Sequence, residues 1–423
     1  MRRGFSFVGA GLLLLGLGVA SPAGADDTAE SASAAPANWA DTIKISSYLE
    51  AGITANPYYS TGLNFGHLFT DKSNALLLNQ ISLIAERPID SSSKDFDFGF
   101  RFQFMAGTDA RYTHFIGELD RVGDSRVQLD IVEANLQAHL PVLTDGGIDI
   151  KAGQFVTLEG AEVIDPRGNF FYSHSYIFNF GVPLKHTGIL TTTHVNPNLD
   201  VILGITSGVN TTLGGGDNND RPAFHGGFAL NNLFDGKVSA LISTHIGPEI
   251  PEGTPGVDPN GDMRYLNDAT ITWKVSDALT SITDLNLIRD DGFNAWGYGA
   301  AQYLIYQFND LLSVGGRAEI WRDANAFFVG AFPGNTDFLN AQVGKPATII
   351  GGGKTTYLAL TLGLNIKPHV PKAIGGFVIR PEIRYDRSLT GTHPFGSANN
   401  TRPDQLTLGL DFVLPFTIWP FGG

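Results

Sequence analysis

Cysteine is absent from all 423 residues, so disulfides cannot staple the fold and thiolate metal centres are excluded. Long apolar runs are missing too. Beyond the first 25 residues no stretch approaches the roughly 18 apolar residues a spanning helix needs. Basic residues are few: 28 Lys and Arg stand against 42 Asp and Glu. The formal charge of −14 becomes −16 once Arg2 and Arg3 are lost with a leader, which argues against nucleic-acid binding as a main role. Mean hydropathy is close to zero, far below that of a helical membrane protein. Glycine (51 residues) and phenylalanine (29 residues), by contrast, are abundant. A transmembrane β-barrel accounts for all of this, because lipid-facing residues alternate with polar lumen-facing ones and the average resembles that of a soluble protein.

The chain opens with Met1, Arg2 and Arg3, continues through an apolar run from Val8 to Ala20, and reaches the small residues Ala23, Gly24 and Ala25. This is the layout of a cleavable secretory signal over residues 1–25, with cleavage expected after Ala25. Residues 26–40 are rich in Ala and Ser and bury little, as expected of a flexible periplasmic leader. Residues 41–423 read as one transmembrane barrel.

Period two dominates that region. In "DFDFGFRFQF" the five residues Phe96, Phe98, Phe100, Phe102 and Phe104 share one face while Asp95, Asp97, Arg101 and Gln103 share the other; a helix would scatter those rings around its axis. Ile379, Ile383 and Tyr385 likewise oppose Arg380, Glu382, Arg384 and Asp386. Many runs reach ten residues, the length a tilted strand needs to cross a bilayer. Counting them predicts a closed antiparallel all-β barrel of roughly sixteen strands, an even number being expected. Aromatic residues at run ends (Trp273, Trp296, Tyr298, Tyr303, Tyr306 and Trp321) fit girdles at the two membrane interfaces. Leu406, Leu408, Leu410 and Phe412 alternate as a closing strand would. The chain then runs on through "VLPFTIWPFGG", a tail that either tucks back or lies at the interface.

Three landmarks in order, "KAGQFVTLEGAEVIDPRGNFFYSHSYIFNFGVPLKHTGIL" (151–190), "GGRAEIWRD" (315–323) and "LGLNIKPH" with "IRPEIRYDRSLTGTHPF" (362–395), resemble the β-barrel porin-2 (OmpL-like) outer-membrane family. The resemblance spans most of the mature chain. It implies a pore-forming barrel of a Gram-negative outer membrane and a function no more specific than passage of solutes. It also implies that the C-terminal strand is the signal read by the barrel-assembly machinery.

Residues 155–186 break the alternation over too long a stretch for an ordinary connection, which suggests a segment folded inward to narrow the lumen. It carries Glu159, Glu162, Asp165, Arg167, His174, Lys185 and His186, a mixture of signs able to order polar solutes at a constriction. A solvated loop over the barrel mouth is the alternative. The second candidate set is the lumen charges Arg101, Glu133, Arg317, Glu319, Arg380, Glu382, Arg384 and Asp386, because Arg facing lipid at the midplane would cost about 2–4 kcal/mol. They either select solutes or pair across strands as structural support.

No chemistry is expected. Ser173, His174 and Ser175 in "YSHSY" are adjacent only by sequence, Ser207 lacks a nucleophile-elbow setting, and the ten histidines contain no H-E-x-x-H pair. "DPNGD" at 258–262 departs from a calcium loop at its sixth and twelfth positions. The expectation is therefore a passive channel with no cofactor, no metal and no catalytic residue. Its partners would be outer-membrane lipids and small polar solutes or ions, with homo-oligomerisation left open. A non-conducting barrel with an adhesive or surface-structural role is the rival reading.

Overall fold

Alternating sequences leave a sheet with one apolar and one polar face, and in lipid such a sheet must close so that no edge is left unpaired. The computed structural model, which describes residues 38–419 apart from 59–61, 121, 123, 124, 372–375 and 397–400, has this form. The expected signal, the leader up to residue 37 and the last four residues lie outside the described residues.

Sixteen long strands make up the wall. In chain order these are β1 (Lys44–Ala55), β2 (Leu76–Arg87), β3 (Asp97–Gly107), β4 (Gln128–Leu140), β5 (Ile148–Val156), β6 (Lys185–Asn196), β7 (Leu199–Thr206) and β8 (Ala223–Asn232). They continue as β9 (Val238–Pro248), β10 (Met263–Lys274), β11 (Leu279–Asp290), β12 (Ala295–Gln307), β13 (Leu312–Asp323), β14 (Thr356–Ile366), β15 (Val378–Ser388) and β16 (Asp404–Trp419). Each pairs antiparallel with its chain neighbours, and β1 pairs with β16 to close the sheet. Connections at one rim are short, as at 197–198 and 275–278, whereas those at the other include 157–184 and 324–355. Outer-membrane barrels keep their short turns on the periplasmic side.

Outward positions carry exposed apolar side chains such as Leu203, Leu285, Leu362, Leu408 and Leu410, while inward neighbours such as Asp284, Thr361, Thr407 and Asp411 are buried. Irregularities in register adjust the phase at several places. In β4, Gln103 pairs with Glu133 but Phe104 pairs with Ile131, so Val132 is the extra residue. Asp130 and Glu133 consequently both point inward despite their odd spacing. Three clusters of buried apolar residues fill part of the interior, so the core of this barrel lies inside it.

Several sequence expectations shift. A short helical turn at Trp39–Thr42 precedes β1, so the strand begins at Lys44 rather than at residue 41. Trp321 and Tyr303 are buried inside the barrel and belong to no girdle; period two puts Trp321 on the same face as Arg317 and Glu319. The tail beyond Phe412 simply continues β16 to Trp419, paired with β1. Pro415 is tolerated there because the pairing with β15 stops at Val413, leaving one flank open for a residue that lacks an N–H. The irregular segment is shorter than 155–186: Phe155 lies in β5, and Lys185 and His186 lie in β6.

Leu362→Arg, at the middle of the lipid-facing side of β14, should lower the folding free energy in vesicles by about 2–4 kcal/mol. Denaturant titration of refolded protein measures this, and an unchanged midpoint would contradict the assignment of that face to lipid.

Candidate functional site

The connection 157–184 joins β5 to β6 and carries backbone donors and acceptors into the interior, where each needs a partner. The wall supplies them in chain order. Gly160 and Ala161 donate their N–H groups to Asp268 of β10 and Asp284 of β11, both at 3.0 Å. Gln80 of β2 donates to the Ile164 carbonyl at 2.8 Å. Arg380 of β15 donates to the carbonyls of Pro166 and Asn169, both at 2.9 Å. Glu382 accepts from the N–H groups of Tyr172 and Ser173, and Glu319 of β13 accepts from those of Tyr176 and Ile177 at 2.8 and 2.9 Å. Arg317 and Arg384 donate to the carbonyls of Ser173 and His174 at 2.8 and 2.5 Å. Asn286 closes the series on Gly181 at 3.0 Å. Two glycines in the wall make room for the segment's aromatic rings: a Cβ at Gly315 would meet the Phe170 ring at 2.4 Å, and one at Gly52 the Tyr172 ring at 2.6 Å.

The candidate residues of the segment fall into different settings. Glu162 is buried and paired: Arg317 donates to it at 2.5 Å, Tyr303 at 3.0 Å and the Ser175 N–H at 2.8 Å. Burial alone would raise its proton affinity, but the Arg317 guanidinium outweighs it and holds the carboxyl below the usual range. Glu159 is the opposite case. It is buried and neither oxygen has a partner among the described residues. Burial, then the nearby Asp268 charge, raises its carboxyl well above the ordinary value. His174 stacks on Phe178 with ring centres 4.1 Å apart, and burial lowers it to about 4, so its ring is neutral at neutral pH. Asp165 and Arg167 pair with each other at 2.6 Å and keep 23% and 33% of their side chains exposed. Lys185 of β6 is buried on Asp130 at 2.6 Å, with its ammonium over the Phe115 ring.

The lumen charges divide in the same way. Arg380 also bridges Asp411 at 2.5 Å and Glu50 at 2.8 Å, and Asp386 takes Arg384 at 2.7 Å and His67 at 3.1 Å. These groups are all buried. On β2–β4, Arg101 pairs with Glu86 and Glu133, and the Arg101 and Glu86 side chains stay 24% and 28% exposed. Arg101 is close enough to Asp165 for their charges to act on each other, so the water-accessible charges of the segment face those of β2–β4. A cavity of about 150 Å3 lies elsewhere, between the segment and β8–β10, lined by Leu158, Glu159, Val163, Leu241 and Thr270 among others.

Sequence reading missed one group. His186, His225 and His245 come from β6, β8 and β9 and are fully buried against one another. Only strand register unites them, because His225 pairs directly with His245 across β8 and β9. Alternation marks each as inward-facing, but no local spacing brings three separate strands together.

Two outcomes follow from these settings. Arg317→Ala strands the Glu162 charge in a dry site and should cost about 3–5 kcal/mol in urea titrations, with Arg317→Ala and Glu162→Gln combined recovering part of the loss. For Glu159 the folded value exceeds an unfolded value of about 4.3, so its stability contribution is complete below that pH and is lost as pH rises toward the folded value. Glu159→Gln should therefore raise the melting temperature over wild type by an amount that grows from pH 4 to pH 8. A difference that does not vary with pH would contradict the burial of that carboxyl.

Comparison with known proteins agrees with this architecture. No curated protein sequence matches. Among solved structures, the chain is similar to OmpF of Salmonella typhi in complex with daunomycin (9% identity, covering 90% of this chain and 99% of that one, TM-score 0.56). It is also similar to an anion-selective porin from Comamonas acidovorans (10% identity, 88% and 99%, TM-score 0.54). A third is the outer membrane channel DcaP of Acinetobacter baumannii (12% identity, 88% and 97%, TM-score 0.51). At such identities these likenesses establish the closed barrel alone. The family model described as "Putative beta-barrel porin-2, OmpL-like" matches residues 42–416; the chain thus belongs to that porin family, whose place is the bacterial outer membrane.

Proposed function

We propose that the barrel passes small polar solutes or ions by passive diffusion, through a gap bounded on one side by Asp165 and Arg167 of the inward segment and on the other by Glu86, Arg101 and Glu133 of the wall. The observation that carries this is the division of the interior. Segment 157–184 is hydrogen-bonded to β10, β11, β13 and β15 through its backbone, while its Asp165–Arg167 pair and the Arg101–Glu86 pair of β2 and β3 stay partly exposed, with Arg101 near Asp165. Opposite charges on the two sides of a narrow gap set up a transverse field that orders dipolar solutes and sets ion preference. Glu162, Lys185 and His174 serve in this reading as supports of the segment, and Arg317, Glu319, Arg380, Glu382, Arg384 and Asp386 as its anchors. The driving force is the solute gradient, and nothing in the reading calls on catalysis or a cofactor. Export by cleavage after Ala25, assembly through β16 by the barrel machinery, and any homo-oligomer belong to the same proposal.

Purified protein in a planar bilayer under a salt gradient tests it. Stepwise conductance should appear, Arg167→Ala should shift preference toward cations, and Asp165→Asn should shift it toward anions. Folded, heat-modifiable protein that never conducts would leave the surface-structural reading in its place. Conductance that is indifferent to both substitutions would move the constriction elsewhere.

A further inference from the structure

The three buried imidazoles of β6, β8 and β9 have no role in the reading above. Their ring centres lie 4.2 Å (His186 and His225), 4.9 Å (His186 and His245) and 5.7 Å (His225 and His245) apart. Neighbouring groups fix two tautomers. The Glu249 carboxylate lies 2.7 Å from His245 Nε2 and can only accept, so that nitrogen carries the proton and Nδ1 is a bare lone pair. The Gly208 carbonyl does the same for His186 Nδ1 at 3.0 Å, so Nε2 carries a lone pair, which accepts from the Thr157 hydroxyl at 3.2 Å and would give up that bond to ligate an ion. His225 Nδ1 and His245 Nδ1 have no hydrogen-bond partner among the described residues. Gly204, opposite His225 on β7, adds no side chain between β6 and β8.

We propose that His186, His225 and His245 bind one divalent transition-metal ion of the zinc class. One nitrogen from each ring lies within 4.8 Å of the others, and tetrahedral Zn–N bonds of about 2.0–2.1 Å need them about 3.4 Å apart, so the rings close by roughly 1–1.5 Å on the ion. Imidazole suits zinc, copper, nickel and cobalt ions, and the Glu249–His245 pair is the outer-shell arrangement that orients a ligating histidine. Coordination through His225 Nδ1 moves that ring's proton to Nε2, which then no longer accepts from the Leu158 N–H, now 3.3 Å away. The ion thereby resets the root of the inward segment. Thr157 and Leu158 touch the cluster and also line the adjacent cavity, which gives an ion its approach.

Untagged, folded protein stripped with chelator and titrated with cobalt(II) tests the site. One ion per chain should bind with visible d–d absorption and be displaced by zinc(II), and His225→Asn and His245→Gln should each weaken binding at least about tenfold. His194→Gln, in the paired cluster with Asp149 and Asp200, should leave it unchanged. Wild-type protein without the absorption, or folded variants that bind as wild type does, would overturn the proposal. If the variants fail to fold, pulsed electron-spin measurements on copper-loaded wild type decide: two or three coupled imidazoles support the site, and one or none overturns it.

Discussion

Everything inside this barrel depends on charged side chains of the wall satisfying the main chain of one inward connection. A backbone led through a low-dielectric interior must find partners for its N–H and C=O groups or lose the cost of their desolvation. Arg380, Glu382 and Arg384 on β15, with Arg317 and Glu319 on β13, supply them, and the three arginines are each neutralised by a carboxylate in turn. Neither part is stable without the other. Without the segment Arg317, Glu319 and Glu382 would lose the partners it supplies, and without the charges the segment would be an unsatisfied coil.

That mutual dependence explains why the interior is uneven. The half lined by β10–β15 is filled with buried rings and ion pairs, including Trp321, Tyr303, Tyr357 and Tyr176. The half lined by β2–β4 keeps half-exposed charges on both surfaces.

The architecture was legible because a bilayer imposes a period. Phe98 and Phe102 against Arg101 and Gln103, or Ile383 against Glu382 and Arg384, assign faces with no further information. Alternation does not say what an inward residue touches. Trp321 and Tyr303 looked like interface aromatics because they end apolar runs, yet their parity already put them beside Arg317 and Ala301. The bulge at Val132 was invisible, since one extra residue in a strand leaves composition unchanged. The segment was recognisable by its broken period, but its ends were not, because Lys185 and His186 fit a strand only once their partners Asp130 and Gly208 are known. The histidine cluster needed the register of four strands, which no window of sequence contains.

The contacts that hold the inward segment are made largely to its main chain, and every residue type presents the same main chain. Arg380 reads the carbonyls of Pro166 and Asn169, not their side chains, and Glu319 reads two N–H groups without regard to what Tyr176 and Ile177 carry outward. The wall is thus a holder indifferent to much of what it holds. A substitution in the segment that leaves its main chain in place therefore keeps these contacts, so the side chains it carries are able to vary more freely than the wall residues that grip it.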